Sequence, residues 1–136
     1  MNIKVAIRVR PFNNREKEMG TDLCVRMDPQ NTYIIDEDGE EKHHFSYDYC
    51  FWSHDGYITE SDGYMSPQDD SYHDQKYVYN CLGKEILSNA LNGYNCCLFA
   101  YGQTGSGKSY SIFGYGNNKG IVPMVCNELF TGDALR

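Results

Sequence analysis

The chain lacks any apolar stretch long enough to cross a bilayer, which takes ~20 residues; its longest, Cys96 to Tyr101, holds six. Membrane insertion is therefore not expected. Nor does any pair of its six cysteines (Cys24, Cys50, Cys81, Cys96, Cys97 and Cys126) form a Cys-x-x-Cys unit. No charged, then apolar, then small-residue leader opens the chain. These absences predict a reducing, cytoplasmic setting with free, mostly buried thiols. Positive charge is scarce too: 12 Lys and Arg stand against 19 Asp and Glu, a net of −7. Bulk electrostatics thus point away from nucleic acid and from an anionic membrane as partners. There is no internal repeat and no low-complexity tract.

What is present fits one soluble globular domain: 136 residues, 40% hydrophobic, 23% charged and 14% aromatic. The 12 tyrosines suit half-buried strands and loops, where a ring packs and its hydroxyl finds a partner. Charge is unevenly spread. Residues 1–26 carry six Lys and Arg against three acids, whereas residues 27–76 carry two against thirteen, a local net of 2 − 13 = −11.

Residues Ile3 to Arg10 alternate, with Ile3, Val5, Ile7 and Val9 on one face and Lys4, Ala6, Arg8 and Arg10 on the other. Period two predicts a strand with one buried face, ended by Pro11. Short β-like runs follow at Cys24 to Met27, Tyr33 to Ile35 and His43 to Trp52. Asp38-Gly39 suits a hairpin turn between the last two, and alternation predicts that Phe45, Tyr47, Tyr49 and Phe51 share a face. Residues Ser53 to Ser71 read as loop. A helix then starts at Asp74 as N-cap, with an apolar stripe of Val78, Leu82, Ile86 and Ala90 joined by Tyr79, Leu87 and Leu91, and stops at Gly93. Cys96 to Tyr101 predicts a central strand buried on both faces of an α/β sheet. Ser109 to Phe113 begin a helix, Gly114 to Gly120 interrupt it, and Ile121-Val122-Pro123 restart it with Pro123 suited to the first helical position.

The chemistry concentrates in Gly102-Gln103-Thr104-Gly105-Ser106-Gly107-Lys108-Ser109, a complete G-x-x-x-x-G-K-[ST] motif between an expected strand and an expected helix. Glycines let successive backbone N–H groups turn inward as an anion-holding nest, and the helix N-terminus adds partial positive charge. Lys108 is placed to reach the β- and γ-phosphates of a nucleoside triphosphate, expected to be ATP, and the Ser109 hydroxyl to ligate Mg²⁺. A chance glycine-rich turn is a poor alternative given that context.

Arg8 and Arg10, with Pro11 next, could clasp a flat base by stacking. The residues alone favour two solvated arginines at a strand edge. Tyr33-Ile34-Ile35-Asp36-Glu37 mimics a metal-binding strand end, but its run is short, precedes the phosphate loop and enters a turn. His43-His44, or Asp70, His73 and Asp74, could be drawn as metal ligands; without a second cluster at ligand spacing they read as surface residues.

Arg8-Val9-Arg10-Pro11-Phe12-Asn13, Tyr94-Asn95 with Phe99-Ala100-Tyr101, and Gly102 to Tyr110 together resemble the N-terminal part of a kinesin motor domain. Phe45 to Tyr49, Trp52-Ser53-His54 and Gly120 to Pro123 look most similar to the third kinesin subfamily. The resemblance covers nearly the whole chain, in family order. It implies the N-terminal portion of an α/β P-loop NTPase sheet-and-helix domain with a small antiparallel β subdomain, incomplete within residues 1–136. It also implies an adenine site at Arg8, Pro11 and Tyr110, with Arg10 beside it, and a microtubule-based ATPase motor of the cytoplasm and cytoskeleton. The segment Gly114 to Lys119 resembles the insertion that interrupts the helix after the phosphate loop.

The departures carry weight. Neither the Asn-x-x-Ser-Ser-Arg-Ser-His switch nor the Asp-Leu-Ala-Gly-x-Glu switch occurs, and in the family the microtubule-binding elements lie beyond this point. The acidic segment 27–76 would repel an acidic polymer such as a microtubule. Phosphoryl transfer depends on positioning and charge stabilisation. A chain without the switches is therefore expected to be a nucleotide-binding stub, with no hydrolysis or motility of its own, that folds poorly because sheet edges stay uncovered. A P-loop ATPase of another family is disfavoured by the Arg8 to Phe12 match.

Overall fold

The computed structural model describes residues 3–132. The chain forms a mixed α/β structure of two compact units, residues 1–56 and 57–136.

In the first unit, β1 (Ala6–Val9) pairs in parallel with β5 (Tyr49–Trp52), Ala6 opposite Tyr49 and Val9 opposite Trp52. Strand β1 is shorter than the alternation predicts. Ile3 and Val5 are exposed, and the Asp48 carboxylate accepts the Val5 N–H at 2.8 Å. Helix α1 (Asn14–Glu18) follows. A three-stranded antiparallel sheet of β2 (Val25–Met27), β3 (Asn31–Ile35) and β4 (Glu41–Ser46) completes the unit.

The Asp38-Gly39 turn forms as expected, with Gly39 at φ +79. Asp36 closes it: its carboxylate accepts the N–H groups of Asp38 and Glu40 and pairs with Lys42 at 2.9 Å. The metal-mimicking stretch is thus a turn. The expected single strand from His43 to Trp52 is instead two strands in different sheets. Tyr47 N–H donates to Gln30 O and Asp48 N–H to Val5 O, so the chain changes partner at this point. Alternation therefore does not carry through. Phe45 is exposed on β4, whereas Phe51 on β5 is among the most buried side chains and Cys50 beside it meets Thr32 of β3 at 3.2 Å.

In the second unit the expected loop contains a hairpin, β6 (Tyr57–Thr59) with β7 (Met65–Pro67). A continuous helical rod follows: α2 (Gln75–Val78), a π-helical turn (Tyr79–Gly83) and α3 (Lys84–Leu91). Asp74 is the N-cap, accepting from Tyr77 N–H at 2.8 Å, and it also accepts the Tyr64 hydroxyl at 2.7 Å. It is buried rather than a surface residue. Gly93 closes the rod at φ +87.

Of the expected stripe, Val78, Tyr79 and Leu87 are buried and Leu82 and Ile86 half-buried, whereas Ala90 and Leu91 are exposed; Gln75 and Gly83 join the buried face. The wider π turn absorbs one residue and so keeps a strict four-residue spacing on one face. At Gly83 an added Cβ would lie 2.5 Å from Tyr79 Cε2. The Tyr79 hydroxyl donates to the Glu128 carboxylate on α5 (Ile121–Thr131). Burial, reinforced by that bond, raises the Tyr79 pKa.

Cys96 to Tyr101 is not a buried central strand. Among the described residues it has no ladder partner, and Phe99 and Tyr101 are 81% and 98% exposed. A central strand exists only through neighbours on both sides, and none of the described strands pairs with this run. The thiols are free but not mostly buried: Cys50 is buried and Cys81 half-buried, while Cys24, Cys96, Cys97 and Cys126 are exposed. No helix among the described residues is long and apolar enough to cross a membrane.

Candidate nucleotide-binding site

Gly102 to Ser109 forms a turn that leads into α4 (Lys108–Ile112). Three of its residues have φ in the left-handed region: Gly102 at +157, Gly105 at +81 and Gly107 at +102. The motif places glycine where a side chain would be strained. At Gly102 space adds a second demand, since a Cβ there would meet the Ser106 side chain, with Cβ 3.1 Å away. The turn is tied by Ser106 N–H to Gln103 O at 3.1 Å. The Lys108 ammonium folds back across the turn and donates to Gly102 O. A neutral carbonyl is a weaker partner for an ammonium than a phosphate oxygen, so the contact closes the loop in a form that an anion can take over. Gln103, Thr104, Gly105 and Ser109 are exposed, and Ser106, Gly107 and Lys108 half-buried.

Helix α4 is short because Gly114, at φ +74, begins β8 (Gly114–Tyr115). β8 pairs with β9 (Asn118–Lys119). This hairpin is the expected interruption. Gly120 then returns the chain against the end of α4, its N–H donating to Phe113 O at 3.0 Å. An added Cβ at Gly120 would lie 2.6 Å from Ile112 O. Gly120 is the N-cap of α5, so Pro123 is the third helical residue rather than the first. It still falls among the first-turn positions whose N–H has no intrahelical acceptor. Tyr110, on α4, packs near the Tyr115 ring at 6.2 Å.

In the first unit, Arg8 Nε donates to Ser53 Oγ at 2.9 Å. Arg10 does not project as a solvated cation. Its guanidinium forms a fork with Glu16, at 2.8 Å and 2.7 Å, and also donates to Pro11 O at 2.7 Å. Glu16 simultaneously completes a capping box with Asn13, each accepting a backbone N–H of the other at 2.8 Å. The Arg10 hydrogen bond, then the Asn13 N–H, hold the Glu16 pKa down at about 2. His54 Nδ1 donates to Arg10 O at 3.0 Å, and its ring meets Phe12 edge-on at 4.6 Å.

Sequence reasoning missed α1 and Glu16; the Asn13-x-x-Glu16 spacing is the capping-box signal that could have found them. The drawn metal sets do not assemble, and the described residues hold no cluster of three or more potential ligands. His44 instead stacks on Tyr33 at 4.7 Å, and His73 on Tyr77 at 4.4 Å.

A sequence model of the kinesin motor domain matches residues 8–134. The chain is 45% identical to kinesin-related protein 1 of Dictyostelium discoideum over 96% of its own length and 6% of that protein's. It is 46% identical to kinesin-like protein KIF28 of Mus musculus over 95% of its length and 13% of that protein's. Among solved structures it resembles KIF14 residues 391–755, described as ADP in complex with a microtubule, at a TM-score of 0.78 and 40% identity. That match covers 95% of this chain and 33% of the other. Relatives of several kinds match at similar identity, so the likeness to one subfamily remains a likeness. The chain belongs to the kinesin family and corresponds to about a third of a motor domain.

Proposed function

We propose that this chain binds the triphosphate of ATP, with Mg²⁺, in the loop from Gly102 to Ser109, and that it is the nucleotide-binding part of a microtubule-based ATPase motor. The supporting observation is the loop itself: left-handed glycines at three positions with the Lys108 ammonium drawn across them. Such a turn suits backbone N–H donation to phosphate oxygens from Gln103, Thr104 and the glycines, with the Ser106 N–H spent on closing the turn. Lys108 would leave the Gly102 carbonyl for the β- and γ-phosphates and carry the catalytic charge stabilisation. Ser109 would hold Mg²⁺, which neutralises the phosphate charge when bound. Tyr110, one residue past the loop, is proposed to contact the base. Arg10, engaged by Glu16, braces Pro11. Microtubule association, and with it a cytoplasmic, cytoskeletal location, is proposed for the whole protein on the strength of its family.

For the 136-residue chain by itself a second reading has specific support: it binds nucleotide without turning it over. The Cys96 to Tyr101 run, exposed and without a ladder partner among the described residues, leaves the segment before the loop without the frame that rigid transition-state positioning requires. Titration of a fluorescent ATP analogue tests the first reading. Lys108→Ala should weaken binding about 10- to 100-fold by removing a charge-assisted contact, and unchanged affinity would contradict the assignment. Phosphate release tests the second. The expected rate is background with or without microtubules, and a microtubule-dependent rise would overturn it.

A further inference from the structure

The helix that begins at Lys108 stops after five residues and resumes at Ile121. Something must hold the two ends of that interruption. In a continued helix the Tyr110 carbonyl would accept from the N–H of residue 114, but Gly114 has left helical geometry at φ +74. The Gln75 side chain takes that place. Its amide Nε2 donates to Tyr110 O at 2.8 Å and to Asn118 O at 3.2 Å. One NH₂ group thus joins a residue of α4, just before the helix breaks, to Asn118, three residues before it resumes at Ile121. Gln75 sits in the first turn of α2 and is 3% exposed, so its geometry is set by the rod beneath it.

The far end is held equally firmly. Asn118, itself buried, donates from its amide to Gly63 O at 2.9 Å and accepts from Met65 N–H at 2.9 Å. Tyr110 itself lies one residue past the Ser109 of the phosphate loop, and its hydroxyl points to Met65 Sδ at 4.0 Å. The Gln75–Asn118 bond is buried and the Gln75–Tyr110 bond part-buried, where water competes less and a hydrogen bond has more to lose when its donor is removed.

We propose that Gln75 is a positioning residue for the base of the bound nucleotide: its buried amide fixes where α4 ends and thereby where Tyr110 presents its ring. The proposal rests on the reading of Gly102 to Ser109 as a triphosphate site and of Tyr110 as a base contact, and deepens it. Gln75 touches no ligand; it acts through the Tyr110 main chain. Loss of its two donors leaves in place the bonds that tie the loop from Gly102 to Ser109, Ser106 N–H to Gln103 O and Lys108 to Gly102 O, but frees Tyr110 to drift.

The test compares two ligands, Mg-ATP and inorganic tripolyphosphate with Mg²⁺, on the full chain and three variants. Tripolyphosphate has no base, so it reads the phosphate loop alone. Gln75→Met keeps the volume and removes both donors, and it should weaken ATP about ten-fold while leaving tripolyphosphate unchanged. Gln75→Glu keeps the shape but turns an acceptor toward two carbonyls, and it should do the same at neutral pH, with affinity recovering as acid protonates the new carboxyl into a donor. Lys108→Ala should weaken both ligands together. If Gln75→Met lowers both ligands equally, or neither, the positioning role is wrong while the phosphate site stands. If the unaltered chain binds neither ligand, or Lys108→Ala changes neither, the phosphate site itself fails and this proposal falls with it.

Discussion

The Glu16 carboxylate accepts from three directions at once: two from the Arg10 fork and one from the Asn13 N–H. Each of these bonds favours the charged form, which is why its pKa falls from 4.5 to about 2. The sign of the linkage follows. A depressed folded pKa contributes stability above pH 4.5, and that contribution is lost as pH falls toward 2. Carboxyl NMR should therefore find Glu16 titrating near pH 2, and Arg10→Met should return its midpoint most of the way to 4.5. A midpoint near 4.5 in the unaltered chain would contradict the fork. The contrast with Lys108 is instructive about legibility. Eight contiguous residues carry the phosphate loop, so local sequence suffices to identify it. The roles of Arg10 and Gln75 depend on partners 6 and 35 residues away, and side-chain pairing at such distances leaves no periodic signal.

Helices and turns follow local chemistry closely, and strand pairing does not. Asp74 as cap, Gly93 as stop and Asp38-Gly39 as turn are single-residue geometric demands, and all three are met. The split between β4 and β5 depends instead on β1 arriving to compete for Asp48 and Tyr49, which alternation cannot express. The expected stripe of the helical rod holds at Val78, Tyr79 and Leu87 but fails at Ala90 and Leu91 and omits Gly83, for a related reason. A π turn is invisible to a fixed 3.6-residue period. It makes a sharp prediction at Gly83, where alanine would normally favour a helix but its methyl would press on the Tyr79 ring. Gly83→Ala should lower stability by about 1–3 kcal/mol through overpacking, seen as a reduced denaturant midpoint. A raised midpoint would show that the close approach of Gly83 and Tyr79 is absent. At the other end of the rod, Asp74→Ala should cost about 1–2 kcal/mol through loss of the cap and of the Tyr64 partner.

For the whole chain, the decisive feature is the exposed run before the phosphate loop. Phe99, Tyr101, Cys96 and Cys97 belong to a pattern that sequence assigns to a buried strand, yet burial there is a property of neighbouring strands and not of the segment. Thiol labelling reads this directly. Cys24, Cys96, Cys97 and Cys126 should react with an aromatic disulfide reagent first. Cys81, whose pKa is raised by burial, should react later, and Cys50 last. Uniform protection of Cys96 and Cys97 would mean that the run is covered. Thermal melting should be broad, since apolar faces without partners weaken cooperativity; a sharp transition would argue against that view.

The central claim is that a turn of glycines and one ammonium receive the triphosphate. Amide shift mapping of the labelled chain during Mg-ATP titration tests it most directly. The largest, saturable changes should fall on Gly102 to Ser109, led by Gly105 and Gly107. Saturable changes clustered elsewhere, with those amides unmoved, would contradict it.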